Sequence, residues 1–323
     1  MTRIDLAGKR VLVTGGAGFV GRSVCRRLRG RGVTDACLCV ARSDEYDLTR
    51  DADVARLYAD ANPQVVVHLA AEVGGIAANV AQPGRFMFAN LAMGMHMVEH
   101  ARRHDVAQFV HVGTVCSYPK HCPVPFREED LWDGYPEATN APYGIAKKAI
   151  IVLLDGYRRQ YGMRSAVVVP VNLYGPGDNF DPATSHVVPA LIRKFEAARL
   201  AGAEEVVCWG TGDVTREFLH VDDAAEAIVR AAEVVECPDP INLGSGAEIT
   251  VRELAAKVSA ACGYRGRITW DSSKPSGQPR RAVDGGRARR LLDWYPRQDF
   301  DAGLEATIRW WRESGGDQAQ TTS

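Results

Sequence analysis

No run of apolar residues in this chain approaches the ~20 that a helix needs to span a bilayer, so a membrane segment is not expected. The N-terminal stretch, MTRIDLAGKRVLVTGG, passes directly into a short strand pattern and glycines. It lacks the apolar core and cleavage site of a secretion signal. An excess of charge is also missing: the formal net charge is -1, which gives no global attraction to nucleic acid or an anionic surface. Cysteine pairing signals are absent. The cysteines at 25, 37, 39, 116, 122, 208, 237 and 262 form no CxxC pair and no zinc-ribbon spacing. Free thiols in a reducing, cytoplasmic setting are therefore expected, with no metal site. There is no internal repeat and no low-complexity block.

The remainder is ordinary globular material, 46% hydrophobic and 24% charged over 323 residues, enough for about two domains. Short β-branched runs alternate with amphipathic helical segments. RVLVTG (10–15), ACLCVA (36–41), QVVVHLAA (64–71), AQFVHVGT (107–114) and SAVVVPV (165–171) read as strands, and EEVVCWG and PINLGS as further ones. Runs that are apolar throughout, joined by helices, predict an α/β fold: a doubly wound, Rossmann-type parallel sheet covered on both faces. Residues 1–174 plus about 210–246 are expected to form the dinucleotide domain. Residues from about 175 to 209 plus 247–313 are expected to form a smaller α/β substrate domain, and 314–323 a disordered tail. LYGPGDNFDPATSHVVP and SSKPSGQPRRAVD, rich in Gly, Pro, Asp and Ser, read as long loops.

VLVTGGAGFVGRSV sets Gly15, Gly18 and Gly21 between the first strand and its helix. Glycines there allow a tight turn and close backbone approach to a pyrophosphate, while the helix N-terminus offers free N–H groups. After the second strand, where NAD enzymes carry an acid for the ribose, this chain has Arg42 and Ser43, followed by Asp44 and Glu45. A guanidinium suits a 2′-phosphate, which favours NADP over NAD. Asp47 and Leu48 fall in a loop placed to cap the adenine.

NAPYGIAKKAI puts Tyr143 and Lys147 four residues apart on one helical face, with Pro142 at the helix start. A phenol has an ordinary pKa of about 10. A neighbouring ammonium favours its anion, which predicts proton exchange nearer neutrality. Thr114, ending the fourth strand, is positioned to share the same carbonyl oxygen. Two residues on, in VHVGTVCSYPKHC, stands Cys116, which the spacing alone leaves open as a structural thiol, a ligand or an acid/base. His96, His100 and His104, at metal-like spacing on one helix, read as an interface or surface face, since no thiol or carboxylate partner is evident for them. Cys122 and His121 read as structural.

The glycine loop, HLAA, Thr114 and YGIAK together resemble the extended short-chain dehydrogenase/reductase family, over nearly the whole chain. AAEVGGIAAN, CSYPK, NLYGPGDNFDPATSHVVPAL and WGTGDVTREFLHVDDAA are similar to its GDP-L-fucose synthase branch, the GDP-4-keto-6-deoxymannose 3,5-epimerase-4-reductases. That resemblance implies NADP(H) contacts at Phe19, Val20, Leu69, Ala70, Ala71, Asn90, Pro170, Asn172, Leu173 and His186, besides Tyr143 and Lys147. It implies Cys116 as the base and His186 as the acid of the epimerisation, with Thr114 in place of the family's serine. It implies that Tyr143 protonates the C4 oxygen. For the nucleotide sugar it implies Asn172, Val187, Trp209, Lys274, Arg216 and Arg281, the last where the family has a lysine, and a homodimer built on the segment from Phe88 and the helix after Tyr143.

The expected activity is an NADPH-dependent epimerase/reductase of a nucleotide-diphosphate 4-keto-6-deoxyhexose. The alternatives are a dTDP-4-keto-6-deoxyhexose reductase with little epimerase activity, an NAD-retaining 4-epimerase, and a non-enzymatic NADP-binding regulator. Intact Thr114, Tyr143 and Lys147 count against the regulator, and the missing acid after the second strand counts against the epimerase.

Overall fold

The computed structural model describes residues 3–182, 184–273 and 278–315. The contact expected of Lys274 lies outside the described residues, as do positions 316–323 of the expected tail.

The strands are β1 (Val11–Thr14), β2 (Leu38–Ala41), β3 (Val65–His68), β4 (Gln108–Val112), β5 (Ser165–Pro170), β6 (Asn172–Tyr174), β7 (Glu205–Trp209), β8 (Thr215–His220), β9 (Pro240–Leu243), β10 (Glu248–Thr250), β11 (Arg267–Asp271) and β12 (Arg280–Arg281). The helices are α1 (Phe19–Gly30), α2 (Asp51–Ala61), α3 (Ile76–Ala81), α4 (Pro83–Arg103), α5 (Ala141–Tyr161), α6 (Val187–Leu200), α7 (Val221–Val234), α8 (Val251–Cys262), α9 (Gly286–Leu292) and α10 (Phe300–Glu313). The main sheet is six-stranded and parallel in the order β2-β1-β3-β4-β5-β9. Val11–Val13, Val65–Val67, Phe109–Val110 and Ala166–Val169 are almost wholly buried, as strands covered by helices on both faces must be. The chain leaves β1 toward β2 and returns on the other side to β3, so the winding reverses beside β1. In such sheets the crevice for a ligand opens at the carboxyl ends of the strands flanking the reversal.

Two cores are present. The larger wraps the main sheet, joining Leu12, Val66, Phe109, Val168 and Ile228 among others. The second gathers Phe180, Phe195, Val258, Ile308 and Trp311, with Phe180 stacked on Trp311 at 4.1 Å between ring centroids. We propose that these cores correspond to the dinucleotide and substrate domains, with boundaries near residues 174, 210 and 246.

Two expectations need correcting. The segment from Leu173 does not leave as loop at once: Leu173 and Tyr174 belong to β6, paired in parallel with β8. Its backbone partner lies some 45 residues downstream, as in the Asn172 side-chain bond to the Glu217 carbonyl, so no local pattern announces it. Of the three histidines, His100 and His96 turn inward, while His104, which caps α4, stays exposed. His100 is buried and its Nε2 lies 2.9 Å from Asp51 Oδ1, His96 Nδ1 lies 3.3 Å from the Leu48 carbonyl, and His104 packs against Tyr58. The carboxylate partner comes from α2, out of sight of a helix read alone.

Candidate active site

A cavity of about 740 Å³ opens at the carboxyl ends of β1, β3, β4 and β5. At one end lies the glycine loop. A methyl group added at Gly21 would sit 2.1 Å from the Gly15 carbonyl oxygen, so only glycine lets α1 approach β1 this closely. Phe19 and Val20 begin α1, whose N-terminus faces the cavity. Leu69, Ala70 and Ala71 form the adjoining wall. Arg42, Asp47 and Leu48 line the same end, which leaves room for an adenosine there. Arg42 is exposed and held by Asp44 through Nε and Nη2, both at 3.2 Å. Asn90 is not among the lining residues. Its amide donates to the carbonyls of Glu72 and Phe86, so it braces the wall from behind.

At the other end the reactive residues meet. β4 stops at Val112, and after Gly113 the Thr114 hydroxyl caps a single tight turn by accepting from the Cys116 amide at 3.2 Å. Gly144 of α5 packs directly on that turn: a methyl there would lie 2.3 Å from the Cys116 carbonyl oxygen. Ser117 Oγ donates to the Gly144 carbonyl at 2.9 Å and locks the turn to the helix. This close seating brings Thr114, Cys116 and Tyr143 to one wall. Lys147, one turn further along α5, is buried and donates to the Val112 carbonyl at 3.1 Å.

The electrostatics differ from the simple pairing expected of Tyr143 and Lys147. Burial pushes the Tyr143 phenol up from its ordinary value, with the Cys116 sulfur acting in the same direction and a hydrogen bond to Thr114 opposing. The phenol is therefore protonated at rest. The ammonium of Lys147 is spent on a backbone carbonyl, and burial lowers its pKa to about 8. Beneath it, His68 and His111 are fully buried and stacked, and burial holds both imidazoles neutral, His68 at about 3. Thr14 Oγ1, 2.8 Å from His68 Nδ1, ties β1 to β3 under the cavity floor.

His186 stands at the start of α6 and faces the cavity. The loop before it is bound to itself: Asn179 Nδ2 donates to Thr184 Oγ1, and the Thr184 and Ser185 amides donate to Asp181. Solvent reaches His186, yet protein crowds the ring, and that crowding lowers its basicity. Pro170, Asn172 and Leu173 complete this side.

Arg216 and Arg281 do not line the cavity itself but stand behind Cys116. They are register partners on the parallel pair β8 and β12. Arg281 Nη1 lies 3.7 Å from Cys116 Sγ. Val187 is the first residue of α6 and is not among the cavity-lining residues. Trp209 ends β7, is two-thirds exposed, and is likewise not among the cavity-lining residues.

Sequence reasoning missed Asp178. It lines the cavity, is almost fully buried, and burial raises its carboxyl to about 7. Oδ1 accepts from the Asn179 amide, and Oδ2 has no hydrogen-bond partner among the described residues. Nothing in the loop composition separates it from an ordinary turn aspartate. Asn140 and Thr184 also line the cavity unannounced.

Comparison with known proteins accords with this geometry. The model of the NAD dependent epimerase/dehydratase family matches residues 11–244. The chain is 42% identical over 308 residues to a probable GDP-L-fucose synthase 1 of Oryza sativa subsp. japonica, covering 95% of this chain and 93% of that one. It is 40% identical over 318 residues to the GDP-L-fucose synthase of Escherichia coli (strain K12), covering 96% and 98%. Among solved structures it resembles a GDP-mannoheptose C4 reductase from Campylobacter jejuni with NADP bound, at 27% identity, a TM-score of 0.85, and coverage of 96% and 99%.

Proposed function

The chain belongs to the NAD dependent epimerase/dehydratase family, and we propose that it is an NADPH-dependent epimerase and 4-reductase of GDP-4-keto-6-deoxymannose, acting as GDP-L-fucose synthases do. The observation that carries this reading is that Thr114, Cys116, Tyr143, Lys147 and His186 all face one cavity, continuous with a glycine loop too tight for any other residue at position 21. When bound, NADPH supplies the hydride that reduces C4. Gly15, Gly18 and the N-terminus of α1 would hold its pyrophosphate, Arg42 its 2′-phosphate, and Lys147 its ribose.

The chain's own residues divide the proton chemistry. A ketone at C4 acidifies the C–H bonds at C3 and C5. Cys116, as thiolate, removes a proton from one of these carbons, and His186 returns one on the opposite ring face, inverting the centre with no net change in protons. Thr114 holds the C4 oxygen. Tyr143 gives it a proton, a task suited to a phenol that burial keeps protonated. Arg216, Arg281 and Asn172 would hold the diphosphate and sugar, and the proposal extends this binding role to Val187, Trp209 and Lys274.

Incubation with NADPH and either GDP- or dTDP-4-keto-6-deoxyhexose tests the substrate. NADPH consumption with the GDP sugar is expected. Consumption with the dTDP sugar alone would reverse the assignment.

The Lys147 shift gives a pH signature. Unfolded, this lysine has its ordinary value of 10.5, and folded it titrates near 8. The unfolded chain thus binds the extra proton between these values, so stability rises with pH across that window; below it the cost of burying the charge is fully present and does not vary with pH. Ribose binding by the ammonium is lost as the folded lysine gives up its proton, through about pH 8. The value of kcat/KM for NADPH should fall as pH rises through about 8 while the melting temperature does not fall with it. A flat profile from pH 7 to 9 would remove Lys147 from this role.

The proposed setting is cytoplasmic, with which eight free cysteines are compatible; among the described residues no helix is long and apolar enough to cross a membrane. The packed pair α4 and α5 leaves Phe88, Met95, Val152 and Tyr161 exposed, a face suited to a homodimer. Sedimentation at micromolar concentration should give twice the chain mass. A monomer there would exclude it.

A further inference from the structure

Gln278 lies just outside the residues so far given a task, yet its bonds converge on Cys116. Its Oε1 accepts from two nitrogens of Arg281, Nη2 at 2.9 Å and Nε at 3.2 Å. That fork fixes the plane of the guanidinium and directs the third nitrogen, Nη1, to Cys116 Sγ at 3.7 Å. The Gln278 backbone carbonyl accepts from Arg216 Nη1 at 2.7 Å, tying in the register partner of Arg281. The other end of the amide is anchored on the same segment four residues beyond the thiol: Nε2 donates to the Lys120 carbonyl at 2.6 Å. One side chain therefore joins the strand bearing Arg281 to the segment bearing Cys116. The orientation of the amide is set from both sides, by donors on its oxygen and an acceptor on its nitrogen.

We propose that Gln278 is a positioning residue for the epimerisation, clasping the Arg281 guanidinium against the sulfur of Cys116 so that positive charge stands beside the atom that carries negative charge when it acts as the base. The clasp rests on the reading of Cys116 as that base. It gives Arg281 a task at the sulfur before any diphosphate arrives. A charged group at this distance in a half-buried place acts more strongly than at the surface. A lysine at 281 would keep the charge but could not be held by a fork, so the arginine and the glutamine belong together.

Alkylation of Cys116 by iodoacetamide, followed by peptide mass spectrometry in the protein without ligands, reads the clasp independently of turnover. At fixed neutral pH, Gln278→Ala and Arg281→Met should each slow modification of Cys116 about three- to tenfold. The double variant should be no slower than Arg281→Met alone, because residues acting through one contact are not additive. Arg281→Lys should fall between wild type and Arg281→Met. The affinity of Gln278→Ala for NADPH should stay at the wild-type level, which shows that the variant is folded. Unchanged or faster alkylation in Gln278→Ala, or additive losses in the double variant, would overturn the clasp. The two readings fail separately. If Cys116→Ser still exchanges C3 and C5 protons at the wild-type rate, the base assignment falls, whereas the alkylation rates still decide whether Gln278 positions Arg281.

Discussion

Replacing Cys116 by serine should cut solvent deuterium incorporation at C3 and C5 by about 10²–10⁴-fold, the usual contribution of a positioned acid or base. Serine keeps the size and the capped turn, because the Thr114 bond goes to the backbone amide of residue 116 and not to its side chain. What is lost is the thiol, the readier of the two to give up its proton and act as the base. The Arg281 nitrogen now at the sulfur would face a hydroxyl that stays protonated. C4 reduction, which uses other residues, should continue, so the variant should convert the ketosugar to the unepimerised 4-reduced product. NADPH consumption followed by product NMR checks both parts. Wild-type exchange in Cys116→Ser would place the base elsewhere in the cavity, and the buried carboxyl of Asp178 would be examined next.

Tyr143→Phe should have the opposite pattern. The rate of NADPH consumption should fall by about 10²–10⁴-fold, since the C4 oxygen would receive no proton as it gains negative charge. Burial protects the fold of this variant, because phenylalanine fills the same space and the phenol contributes only its bond to Thr114. Exchange at C3 and C5 should persist, because the ketone is still bound and Cys116 and His186 are intact. Deuterium would then accumulate in the unreduced substrate. Loss of exchange together with reduction in Tyr143→Phe would mean that the phenol also polarises the ketone during epimerisation, and the division of labour would have to be redrawn.

The parts of the site that were legible in the sequence are those written by local spacing. Gly15, Gly18 and Gly21 follow a strand and open a helix, and Tyr143 and Lys147 share one helical face. Both patterns survive in the structure because one element carries each. The main sheet was legible for a similar reason: each buried strand is a continuous apolar run, so β1 to β5 and β9 all fall within the expected segments.

What was not legible depends on register between distant strands. Arg216 and Arg281 become neighbours only because β12 pairs with β8, and Gln278 reaches Lys120 across 158 positions of chain. The protonation of Tyr143 was misjudged because spacing gives the direction of a side chain and not its burial. Here burial outweighs the ammonium four residues away, which the Val112 carbonyl has already engaged. His96 and His100 were misplaced because their partners, Leu48 and Asp51, belong to segments some fifty residues earlier.

In the proposed function one ketone serves two reactions in one cavity, C–H exchange by Cys116 and His186 and then reduction with a proton from Tyr143. The most direct test is a single incubation in D₂O of the purified protein with NADPH and GDP-4-keto-6-deoxymannose, followed by NMR of the product. NADPH consumption and a 4-reduced product carrying deuterium at C3 and C5 are expected. NADPH consumption with protium retained at both carbons would contradict the proposed function.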